Sequence, residues 1–89
     1  MALTGVAVSL AKAGRIDRAL RVAQDAYQVA QRIEDAKVRS IVLVGIAGAL
    51  AEAGQFDRAI EVAEKIDDVI ERLKAFATVS AVAREKQKR

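Results

Sequence analysis

Apolar residues recur at alternating steps of three and four along most of the chain. Ala19, Val22, Ala26, Val29 and Ile33 form one such series, and Ala59, Val62, Ile66 and Val69 form another. Leu3, Val6, Ala7 and Leu10 fill a similar stripe near the start, as do Leu43, Ile46, Ala47 and Leu50 in the middle. This spacing is the signature of a helix that buries one face. Glycines and acids punctuate the pattern. Gly14 and Gly54 follow alanine-rich stretches, where a helix needs a residue able to take a left-handed conformation at its C-terminal end. Asp17 and Asp57 then open new helices, with carboxylates favoured beside unpaired N–H groups and the positive end of the helix dipole. Asp35 and Asp68 are placed to cap two more. The predicted helices run from about Ala2 to the turn at Gly14, then over 17–33, 36–53, 57–65 and 69–86.

Composition supports an all-α chain. Of its 89 residues, 53% are apolar, and 19 of these are alanine, the strongest helix former. There is no proline, and the five glycines leave little material for the tight turns of a sandwich or barrel.

The chain also repeats itself. Residues 5–23 read GVAVSLAKAGRIDRALRVA and residues 45–63 read GIAGALAEAGQFDRAIEVA, with 11 of 19 positions identical at an offset of 40. A second echo, Ile33-Glu34-Asp35 with Arg39 against Ile66-Asp67-Asp68 with Arg72, has an offset of 33. Both hold if the first unit carries seven extra residues between Ala23 and Ile33. Seven residues make about two helical turns, so the insertion lengthens a helix while hardly rotating its buried face. The units are thus predicted as about 1–32 and 33–65, each a helical hairpin, followed by a helix at about 69–88. One other architecture keeps the same spacing: with no Gly or Pro between Arg15 and Val44, helices could run unbroken over 17–53 and 57–88, a route to domain-swapped dimers. The duplicated acidic pairs Glu34-Asp35 and Asp67-Asp68 favour breaks there.

These residues resemble the tetratricopeptide repeat. Gly54-Gln55-Phe56-Asp57-Arg58-Ala59-Ile60-Glu61 is similar to that family's turn and second-helix start. Ala47 and Ala59 match its small first- and second-helix positions, while Leu43, Ile46 and Leu50 match its apolar first-helix positions. Gly14, Ile16, Ala19, Ala7, Leu3, Val6 and Leu10 correspond in the first unit. The resemblance implies a short α-solenoid of antiparallel hairpins whose first helices line a concave groove for a protein partner. The groove positions it implies are Thr4, Val8, Ala11, Val44, Gly48 and Ala51, with Lys74, Ala77 and Ala81 from the last helix. The chain contains no asparagine, and Val44 and Gly48 stand where the family's carboxylate-binding version places polar residues. The implied groove therefore suits an apolar helix better than an acidic peptide tail.

Residue chemistry argues against catalysis. Without histidine or cysteine there is no imidazole base for Ser9, Ser40 or Ser80, and no ordinary zinc, haem or thiol site. Gly45-Ile46-Ala47-Gly48 lies in an apolar helix and lacks a phosphate-loop lysine. Glu34-Asp35 and Asp67-Asp68 could approach a cation but sit where capping is the commoner role. No cofactor is expected. The net charge of +3 lies in the tail: four of the fifteen basic and one of the twelve acidic groups fall in Arg84–Arg89, leaving eleven of each sign elsewhere. A basic tail is no phosphate-binding stripe, so nucleic acid is not the expected partner. The longest uncharged run, SIVLVGIAGALA, rises about 18 Å as a helix, short of the ~30 Å a membrane span needs. No signal-peptide layout opens the chain, and a cytoplasmic location is expected.

The expected function is a non-catalytic protein–protein interaction module that buries an apolar helix. The alternative is a structural unit, natural or engineered, that assembles with itself. Val42, Val44 and Ile70 are large apolar residues with no obvious place inside; they point to self-association, or to a piece cut or engineered from a longer repeat array.

Overall fold

The computed structural model describes residues 2–88. It contains five α-helices: α1 (Ala2–Lys12), α2 (Ile16–Ala30), α3 (Ala36–Glu52), α4 (Phe56–Glu64) and α5 (Val69–Gln87). They form two antiparallel hairpins, α1–α2 and α3–α4, and a final helix. Helices α1, α3 and α5 lie side by side in one layer, with α3 touching both neighbours. Helices α2 and α4 form the second layer, each packed against its own partner and against the helix that follows. The body measures 38 × 23 × 18 Å.

The turns follow the glycines. Gly14 and Gly54 both have φ of +81°. Gly14 N–H donates to the Ala11 carbonyl and Arg15 N–H to that of Leu10, at 3.1 and 2.9 Å. Gly54 and Gln55 repeat these bonds to Ala51 and Leu50, so each first helix closes with the paired reverse bonds of a left-handed C-terminal turn. The next helices start one residue earlier than expected, at Ile16 and Phe56. Asp17 and Asp57 therefore stand in the first turn and stabilise it through the helix dipole, while Arg15 and Gln55 at the cap positions make no side-chain capping bond.

The long-helix alternative is not realised: α2 ends at Ala30 and α4 at Glu64. Asp35 and Asp68 each accept a hydrogen bond 3.0 Å long, from the N–H of Val38 and Glu71, and begin fresh helices. In the linkers just before these caps, the Ile33 carbonyl accepts from the Arg39 guanidinium at 2.7 Å and the Ile66 carbonyl from that of Arg72 at 3.0 Å. The sequence echo at offset 33 is thus a duplicated junction, an aspartate opening one helix and an arginine holding the linker carbonyl two residues before that aspartate. Helix α2 ends three residues sooner than its apolar series suggests, because Arg32 and Ile33 N–H turn back to Val29 and Ala30 in a tightened last turn. Helix α2 has 15 residues and α4 nine.

Helix α3 holds the core. It is touched by all four other helices, so it is apolar nearly all round, and every residue from Val42 to Ala51 is buried or half-buried. Leu43, Ile46, Ala47 and Leu50 are buried as expected. The buried stripe of α2 differs from the expected one: Ala19, Ala23, Ala26 and Ala30 are inside, whereas Val22 is half-buried and Val29 exposed. A stripe of alanines lets the axes come close, and the bulkier valines ride at its edge. Val42 is also inside, contrary to expectation; Val44 is half-buried, while Ile70 is exposed. Val69 does not continue the face of α4, because the break at 65–68 resets the helical phase.

Candidate interaction face

The face made by α1, α3 and α5 brings together residues from three helices that are distant in sequence. Small residues set how closely these helices pass. A Cβ added at Gly45 would lie 3.3 Å from Thr4 of α1, and one added at Gly48 would lie 3.2 Å from the Thr78 methyl of α5. Either contact is tighter than ordinary van der Waals separation, so the two glycines are the contact points that let α3 seat between its neighbours.

The nine groove positions divide in two. Thr4, Val8 and Val44 are half-buried, and Lys74, Ala77 and Ala81 are exposed, so these six have side-chain surface to offer. Ala11, Gly48 and Ala51 are buried. Ala11 packs with Ala19 and Ala53, and Ala51 belongs to the main core, so both hold helices together instead of presenting a surface. Ile41, a residue missing from the nine, is 52% exposed one turn before Val44. Its three-residue spacing from Val44 and seven-residue spacing from Gly48 was the available signal.

Chemically the face has two ends. Toward the start of α3 it is aliphatic, with Ile41 exposed and Val44 half-buried one turn later. Toward the far end is a shallow depression of about 260 Å³ lined by Lys12, Glu52, Ala81, Val82 and Glu85. Among the described residues, no three His, Cys, Asp or Glu side chains gather as metal ligands would. Asp35 and Asp68 spend their carboxylates on helix caps.

Electrostatics tie α5 to α3 beside this face. Lys37 Nζ lies 3.5 Å from Asp68 and 3.9 Å from Glu71, a residue that also accepts from Lys74 at 3.3 Å. The Asp68 carboxyl is held below its ordinary pKa, chiefly by the Glu71 N–H it accepts; partial loss of hydration opposes this, and the Lys37 charge reinforces it. Arg39 reaches across the same seam to Asp67 at 3.6 Å. On the opposite layer the backbones of α2 and α4 stay apart, and Lys65 bridges to Tyr27, donating to its hydroxyl at 3.2 Å and lying 5.5 Å from the ring centre.

A family model of the tetratricopeptide repeat matches residues 1–66, which span both hairpins. The chain belongs to the tetratricopeptide repeat family. Neither a curated relative nor a solved structure matches it. Tetratricopeptide repeats are in general non-catalytic modules that mediate protein–protein interaction, and the geometry agrees with that: layered helices, glycine contact points and an open first-helix face. No described helix of this tetratricopeptide-repeat chain is long and apolar enough to cross a membrane.

Proposed function

We propose that the chain is a tetratricopeptide-repeat interaction module that captures an apolar or amphipathic helix of a partner protein along the face of α1, α3 and α5, without catalysis. The observation that supports this most is the 52% exposure of Ile41 on the open side of α3, one turn before half-buried Val44. Aliphatic side chains on such a face reward an incoming helix that carries apolar anchors at three-four spacing. The charged depression at Lys12, Glu52 and Glu85 would then set the direction of the partner.

Selection of displayed helical peptides on the folded protein tests this reading. Selected peptides should carry apolar anchors at three-four spacing and lose at least tenfold in affinity for Val44→Asp and Ile41→Asp. Peptides whose binding ignores both substitutions, with helical circular dichroism intact, would remove the groove from the mechanism.

A second reading, self-association, is favoured by one observation. Val69, Ile70 and Leu73 of α5 are 58%, 61% and 64% exposed. Light scattering across concentration separates it from the first, since a module for other proteins need not bind itself.

A further inference from the structure

Helix α5 buries Glu71, Ala75 and Val79 against the body and leaves the opposite face open. Its repeat-mate α3 behaves otherwise: Ser40, 33 residues before Leu73, is 2% exposed, whereas Leu73 is the most exposed large apolar side chain described, at 64%. At about 100° per residue, Val69, Leu73, Ala77, Ser80 and Arg84 fall within a sector about 80° wide. The stripe is thus aliphatic at its start, small in its middle and basic at its end.

The helix also carries a charge gradient. Asp67 and Asp68 stand at its start, and Arg84, Lys86 and Lys88 at its end. Asp67 stays 79% exposed despite its 3.6 Å pairing with Arg39, so it remains open to another cation.

We propose that this stripe is where a second copy of the chain docks, its own α5 lying antiparallel across the first, with a two-fold axis near Ala75. The inference rests on the self-association reading and goes beyond it by naming the helix, direction and register. In this register Leu73 lies over Ala77 of the second copy, and Ile70 over its Ser80. Arg84, nine residues from the axis, arrives past the first turn of the second copy's α5, which begins at Val69, on the side where Asp67 precedes the helix. Charge selects the direction: antiparallel pairing sets each basic end against an acidic end and opposes the two helix dipoles, whereas parallel pairing stacks like charges. Charge also selects the occupant. Helix α1, whose Leu3 and Val6 are exposed at the other end of the stack, contains no acidic residue and only Lys12 as a base, so it gives no complement. A self-complementary patch makes a closed two-fold dimer, and head-to-tail contact would not close.

Sedimentation equilibrium and the cysteine-free background provide the test. Wild type should form dimers whose dissociation constant rises at least tenfold in Leu73→Glu and also rises with salt, while Val6→Glu leaves it unchanged. Leu73 is exposed, so the variant should keep its helical circular dichroism. Under mild oxidation, Leu73→Cys mixed with Ala77→Cys should cross-link faster than Ala77→Cys alone. A strict monomer at high micromolar concentration would overturn self-association and this proposal together. A dimer indifferent to Leu73→Glu, or one in which Ala77→Cys links chiefly to itself, would overturn only the antiparallel α5 pairing.

Discussion

Thr78 closes on Gly48 so tightly that a Cβ at the glycine would stand 3.2 Å from the threonine methyl. This contact sets the separation of α3 and α5, and with it the width of the first-helix face. Thr78 is β-branched and stiff in a helix, so it yields little. Gly48→Leu is therefore expected to lower stability by ~1–3 kcal/mol through overpacking. Gly48→Ala alone should show little of the ~1 kcal/mol propensity gain of alanine, and adding Thr78→Ala should recover it. Urea denaturation of the single and double variants measures both; a Gly48→Leu variant as stable as wild type would show the helices free to separate.

The same substitution should act with opposite signs at two other glycines. Gly54 has φ of +81°, and alanine there should cost ~1–2 kcal/mol even though nothing lies within 4 Å. Gly5 lies within α1 with no neighbour within 4 Å, so alanine there should add ~0.5–1 kcal/mol. Equal shifts in thermal midpoint would contradict the role of the turn.

Arg39 and Arg72 are expected to matter for stability more than their position near the surface suggests. Arg39→Met keeps the aliphatic stem but removes the 2.7 Å bond to the Ile33 carbonyl and the pairing with Asp67. A loss of ~1 kcal/mol is expected in chemical denaturation. Hydrogen exchange should rise first around the 31–35 junction; protection unchanged there would assign the arginine a different role.

Acid should weaken the attachment of α5. A carboxyl with a depressed pKa in the folded state stabilises above its unfolded pKa, and that contribution is lost as pH falls through the folded one. Asp68 is such a group, so stability should drop as pH falls from the ordinary carboxylate range toward the depressed value. Asp68→Asn keeps a capping oxygen and loses the charge, and its unfolding free energy should fall less over that window. Parallel pH profiles for variant and wild type would exclude Asp68 as a source of the acid sensitivity.

Local physics made much of this molecule legible. Three-four spacing, alanine content, Gly14 and Gly54 as left-handed turns, and Asp35 and Asp68 as caps depend on neighbours within a few residues, and the duplicated unit multiplied each signal. The buried face of α2 was harder to read. Alanines and valines alternate along it at helical spacing, and hydrophobicity ranks valine first, but close packing against α1 and α3 chose Ala19, Ala23, Ala26 and Ala30. The roles of Arg39 and Arg72 were hidden for a related reason: their carbonyl partners lie six residues back, across a chain reversal.

The sequence by itself determined five helices, their order, their junctions and the family, because caps, turns and periodicity are short-range properties carried twice by the repeat. Only the tertiary structure decided which groove positions keep any surface. Ala11, Gly48 and Ala51 vanish into contacts between helices, Ile41 emerges, and α5 is left with Val69, Ile70 and Leu73 uncovered. Burial is a relation between helices far apart in the chain, set by how closely small residues let them approach.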